Sequence, residues 1–101
     1  MDFNEYQDNA KVYARYHKEL GPFSVILDMQ SNMGKISGKL FNILENNQGT
    51  FNDEERARLA ISLGDLMFNI ANIADDLGIT FEEILSLNLK KLELIRENEN
   101  K

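Results

Sequence analysis

Apolar residues recur at helical spacing along nearly the whole chain. Tyr6, Ala10, Val12, Tyr13 and Tyr16 make a stripe that predicts a first helix over about residues 3–20, stopped by Gly21-Pro22. Ile26, Met29, Met33, Ile36, Leu40 and Ile43 alternate steps of three and four and predict a second over about residues 23–46. The turn-forming cluster Asn46-Asn47-Gln48-Gly49-Thr50 breaks it. Asn52 followed by Glu55 resembles a capping box and starts a third helix. Leu59, Ala60, Leu63, Leu66, Met67, Ile70, Ile73, Ala74 and Leu77 carry its expected core face, and Gly78 ends it. Thr80 with Glu83 is a second such box, opening a fourth helix over about residues 81–96. The polar residues 97–101 predict a frayed tail. No strand alternation persists long enough to compete.

The expected fold is therefore all-α, a single domain of residues 1–101 built as a four-helix bundle. Short connections make helices 1 and 2, and helices 3 and 4, antiparallel neighbours. Helices 2 and 3 run to about 24 residues each, roughly 36 Å. That is long for so small a domain, and long helices leave an apolar flank for a second copy. A homodimer or higher homo-oligomer, formed through the long helices, is expected on these grounds.

Composition narrows the chemistry. Apolar residues make up 43% of the chain, which argues for a globular protein. There is no cysteine, so no disulfide, thiolate metal site or thiol nucleophile is available. No apolar run approaches the ~18 residues of a membrane span. The start Met1-Asp2-Phe3-Asn4-Glu5 does not read as a signal peptide. A cytoplasmic protein with no membrane partner is the expectation. The net charge of −6 argues against nucleic-acid binding driven by phosphate contacts.

Candidate chemistry centres on two mid-helix glycines, Gly34 and Gly64. Each costs about 1 kcal/mol against alanine, so each calls for a reason. One reason is close helix–helix packing. The other is a site between two helices. The residues two before and one after each glycine, Asn32 with Lys35 and Ser62 with Asp65, then share a face at i and i+3. His17 reads as surface decoration, and Tyr13 and Tyr16 as core cover. Met29, Met33 and Met67 read as core filler. Asp28, Glu54, Glu55, Asp75 and Asp76 read as solvated or capping charges.

These pieces together resemble the MazG-like, all-α nucleotide pyrophosphohydrolase family. Tyr6-Gln7 is similar to the family's opening helix, and Gly34 falls at the glycine of its first acidic motif. Leu63-Gly64-Asp65-Leu66-Met67-Phe68 resembles the second motif. Asp76-Leu77-Gly78-Ile79-Thr80-Phe81-Glu82-Glu83-Ile84 is similar to the turn into the last helix, and Asn88-Leu89-Lys90-Lys91-Leu92 to the closing asparagine–lysine motif. Order and spacing carry the likeness, which covers most of the chain.

The resemblance implies an EXXE segment on one helix and an EXXD segment on the next, whose four carboxylates hold Mg2+ against a nucleotide's phosphates. Magnesium is a hard cation that demands oxygen ligands, and it would prepare a water for attack between the α- and β-phosphates. Here the glutamates of the first segment fall on Asn32 and Lys35, and that of the second on Ser62. Asp65 alone remains as a metal ligand, and a further acidic position falls on Gly38. Lys35 paired with Asp65 would stand in for the metal's charge and spare the fold a lone buried anion. By the same likeness Asn88, Lys91 and Arg96 are the candidate nucleotide-binding residues, although Arg96 arrives one residue late, a rotation of ~100° on the helix. The expected function is that of a catalytically degenerate homologue that binds a nucleotide or protein partner in the former cleft, with no cofactor. The alternative is an active, Mg2+-dependent enzyme that cleaves nucleoside triphosphates to monophosphate and pyrophosphate, using unconventional or inter-subunit ligands.

Overall fold

A computed structural model describes residues 1–14 and 20–100. Its regular structure is helical throughout: α1 (Phe3–Ala10), a 3-10 turn (Lys11–Tyr13), α2 (Pro22–Asn47), α3 (Asp53–Leu77) and α4 (Phe81–Glu99). The all-α expectation holds. No helix among the described residues is long and apolar enough to cross a membrane.

The ends of the helices follow local chemistry. Pro22 begins α2, where its missing N–H costs nothing. Gln48, in the left-handed region at φ 54°, closes α2, and Gly49 follows at φ 80°. Both halves of the Asn52–Glu55 capping box form: the Glu55 amide donates to Asn52 Oδ1 at 2.8 Å, and the Asn52 amide to Glu55 Oε1 at 3.0 Å. Gly78 at φ 71° ends α3, and Thr80 Oγ1 caps α4 by accepting from the Glu83 amide at 3.1 Å.

Three expectations need correction. The first helix is short, because Lys11–Tyr13 tightens to 3-10 geometry and Ala14 is extended. Val12 and Tyr13, read as part of its core stripe, are exposed. Tyr16 and His17 lie outside the described residues. At the other end, helix persists to Glu99 where a frayed tail is predicted after Arg96.

On α2, the buried rows differ from those the apolar pattern predicts. The sequence pattern contains three rows at heptad spacing: Met29–Ile36–Ile43, Ile26–Met33–Leu40 and Val25–Asn32–Lys39. The apolar row Ile26–Met33–Leu40 is exposed, at 48%, 46% and 41%. Val25, Ile36 and Ile43 are buried, and Asn32 is half-buried. The polar row therefore borders α3. The buried side of α3 is correspondingly polar or small: Ser62, Asn69, Ala71, Asn72 and Ala74 are buried, while the predicted core residues Leu63 and Leu77 are exposed.

The tightest apolar cluster lies where α1, α3 and α4 meet. Ala10, Ala71 and Phe81 are buried there, with Tyr6, Phe68, Ile70 and Leu85 packed against them. Phe3 stacks on Phe81 at 5.6 Å between ring centroids, and Tyr6 meets the same ring edge-on. Gln7 is buried among them and ties three segments together. Its Nε2 donates to Asp75 Oδ1 at 2.8 Å and to the Ile79 carbonyl at 3.0 Å, and its Oε1 accepts from the Phe81 amide at 2.8 Å. Asp75, read as a solvated or capping charge, accepts from Gln7 in this lock.

Candidate functional site between α2 and α3

Asn32, Lys35, Ser62 and Asp65 converge on one cleft. With Lys39, Arg58 and Ile61 they line a cavity of about 220 Å³ between α2 and α3. Each wall follows from helix periodicity. Asn32, Lys35 and Lys39 are spaced three and four apart on α2, and Arg58, Ser62 and Asp65 four and three apart on α3. A further hollow of about 160 Å³, lined by Lys39, Ile43, Glu55, Arg58 and Leu59, adjoins it through the shared Lys39 and Arg58.

A polar seam fixes the floor. Asn32 Nδ2 donates to Asn69 Oδ1 at 2.9 Å, and Asn69 Nδ2 donates to Asp28 Oδ2 at 2.9 Å. Lys39 Nζ donates to the buried Ser62 Oγ at 2.8 Å. Asn69 is almost fully buried, so its amide depends on these partners. Arg58 Nη2 contacts Glu54 one turn earlier on α3.

Lys35 and Asp65 face the same cavity, but no ion pair joins them among the described residues. Both are exposed, so the expected substitution of a Lys35–Asp65 pair for the metal is not formed. Asp65 needs no such partner, because it is not a buried anion. Burial pushes the Tyr6 phenol above its ordinary range, and the Asp65 carboxylate adds to the effect.

The donors present do not fit magnesium. Among the described residues that line the cleft Asp65 is the one carboxylate; the Ser62 hydroxyl is engaged by Lys39, and two ammonium groups and a guanidinium share the cavity. Among the described residues no three acidic, histidine or cysteine side chains come together.

The glycines have no packing role within the protomer. A Cβ built on Gly34 or Gly64 would meet nothing within 4 Å. Gly64 lines an apolar cavity of about 290 Å³ where α1, α3 and α4 meet, with Phe3, Tyr6, Met67 and Phe81. Asn88, Lys91 and Arg96 are exposed on α4, and none lines the α2–α3 cleft. Lys39 and Arg58 are site residues that the sequence reading missed. The signal was their spacing, four residues beyond Lys35 and four before Ser62.

No protein-family model matches the chain, and no solved structure matches it. Gene 37 protein of Mycobacterium phage L5 is 30% identical to it over 69 residues, which is 68% of this chain. The chain spans 60% of the length of that protein.

Proposed function

We propose that the chain is a catalytically degenerate protein of the MazG-like nucleotide pyrophosphohydrolase kind, which keeps the cleft of that family as a nucleotide-binding site without its metal chemistry. The supporting observation is the convergence of Asn32, Lys35, Ser62 and Asp65 on a single cavity. The i, i+3 spacing around Gly34 and Gly64 places each pair on one face of its helix, and the resemblance names the same four positions as a single site. The test is to restore the carboxylates. The triple variant Asn32→Glu, Lys35→Glu and Ser62→Glu, with Asp65 retained, should be thermally stabilised by Mg2+, whereas the wild-type chain should not. A triple variant that folds by circular dichroism yet ignores Mg2+ removes this reading.

The proposal includes a homodimer. Beyond Leu85, α4 has only exposed residues, among them Leu87, Leu89, Leu92, Leu94 and Ile95. The outward row Ile26–Met33–Leu40 adds a second apolar flank on α2. The radius of gyration is 16.7 Å, against about 13 Å for a compact domain of this size. A protruding helix with so much apolar surface suits a second copy of the chain. Light scattering after size-exclusion chromatography should report a dimer, and Leu92→Lys with Ile95→Lys should report a monomer.

A further inference from the structure

We infer that the α2–α3 cleft takes a phosphoryl or pyrophosphoryl anion directly on Lys35, Lys39 and Arg58, with no divalent cation between protein and ligand. The inference rests on the reading of this cleft as a ligand site, and it names the chemistry the site recognises.

Three observations carry it. First, Lys35, Lys39 and Arg58 face Asp65 across a single cavity, in a chain whose net charge is −6. Arg58 is paired with Glu54, so the local excess of positive charge comes from Lys35 and Lys39. Second, the cations come from both walls, two from α2 and one from α3, so an anion between them is held from opposite sides. Ser62 Oγ holds Lys39 Nζ at 2.8 Å. An ammonium has three donors, which leaves two for a ligand. Arg58 presents a planar fork that matches phosphate oxygens and still has donors beyond the one engaged by Glu54. Third, the cavity of about 220 Å³ is smaller than the ~300 Å³ at which pockets for drug-sized ligands begin. It fits the phosphoryl end of a ligand, and the nucleoside of a bound nucleotide would lie outside it. A phosphoryl group, with several acceptor oxygens, meets the donors of Lys35, Lys39 and Arg58 together better than a single carboxylate would.

The sign of one substitution separates this chemistry from a metal site. If a metal bridged protein and phosphate, Asp65 would be its carboxylate ligand and Asp65→Asn would abolish binding. If the cations bind the anion themselves, Asp65 only repels it, and Asp65→Asn should tighten binding by roughly fivefold, the effect of one like charge about 4 Å away in water.

The experiment is calorimetric titration of the full chain with inorganic pyrophosphate and with inorganic phosphate, in EDTA and at low salt. Saturable binding is expected for at least one of them. Lys35→Ala and Lys39→Ala should each weaken it by at least about tenfold, the loss of one charge-assisted hydrogen bond. Arg56→Ala removes an exposed cation outside the cleft and should change nothing. Titration with a nucleoside triphosphate in EDTA identifies the source of the anion. Tighter binding than pyrophosphate, with the same loss in Lys35→Ala, assigns a nucleotide; equal binding assigns the free anion.

Binding that needs Mg2+ and disappears in Asp65→Asn overturns the inference in favour of a metal site. An equal loss in Arg56→Ala overturns it in favour of diffuse attraction. Binding of duplex nucleic acid but not pyrophosphate overturns it too, as does no binding at all. The carboxylate-restoration test is independent. A triple variant that gains Mg2+ binding while the wild-type chain ignores pyrophosphate keeps the MazG-like reading and removes this inference; the reverse pair of results does the opposite.

Discussion

Replacing Gln7 by leucine should be among the most damaging single changes outside the cleft. The side chain is 5% exposed and makes three hydrogen bonds, to Asp75, the Ile79 carbonyl and the Phe81 amide. Leucine has similar bulk and removes all three. The Phe81 amide sits in a residue that is 1% exposed, so water cannot readily replace its partner. Asp75 already has a buried oxygen, Oδ2, with no partner, and would keep only the long contact from Lys11 at 3.7 Å. A buried donor left unpaired costs about 1–3 kcal/mol, and a lost bond to a carboxylate about as much again. Offset by the gain from burying an apolar side chain, the net loss should be about 3 kcal/mol. At roughly 4–8 °C per kcal/mol for a domain of this size, the melting temperature should fall by roughly 12–24 °C. Thermal and urea unfolding would measure it, at matched protomer concentration because self-association adds stability. Gln7→Glu is the informative companion. It keeps an acceptor for Phe81 but turns the donor facing Asp75 into a second carboxylate, so its deficit should shrink as pH falls and a proton returns. A Gln7→Leu protein within about 0.5 kcal/mol of wild type, the range of an ordinary surface change, would refute the assignment of Gln7 as the lock between α1 and the α3–α4 turn.

Gly64→Ala should raise stability by about 0.5–1 kcal/mol, since a Cβ there meets nothing within 4 Å and helix propensity improves; a drop in the urea midpoint would mean that another surface covers it. Asn69→Ala should cost about 1–3 kcal/mol, because Asn32 and Asp28 both lose their partner, and the same titrations would read it. Tyr6 predicts an alkaline effect. Burial and Asp65 raise its folded pKa above the unfolded value of about 10, so its contribution is fully present below that pH and fades as pH rises through the folded value. Tyr6→Phe should abolish that part of the alkaline loss in urea midpoints measured as a function of pH.

The helices were legible because their signals are local. Gly78, the Asn52–Glu55 box, Thr80 and the turn around Gly49 act within a few residues, and each lies where the pattern places it. The early end of α1 was not legible, because nothing in the run from Ala10 to Ala14 forbids helix. The face of α2 that meets α3 was not legible either. Periodicity offered Ile26–Met33–Leu40 and Val25–Asn32–Lys39 as alternative neighbours of the row Met29–Ile36–Ile43. Apolarity favoured the first. What selects the second is a set of long-range partners, Asn69 for Asn32 and Ser62 for Lys39, which lie 37 and 23 residues away. Gln7 was hidden for the same reason, with partners 68 to 74 residues distant.

That choice of row bears on function. A pair of long helices with an apolar row available gains more by burying it than by facing the partner helix with amides, which must each be matched where they are buried. Here the apolar row faces outward and the polar row faces the partner helix. If stability alone set the arrangement, Ile26, Met33 and Leu40 would meet α3. Both features have one explanation when the chain is a dimer with a ligand cleft. In the proposed dimer the outward row would be covered by the second copy, and the inward polar row would be retained because Asn69 and Ser62 hold Asn32 and Lys39 at the edge of the cavity. The placement of Lys39 against a buried hydroxyl matters most, since an ammonium is otherwise free to swing into solvent. Bonded there, it faces the same cavity as Lys35 and Arg58.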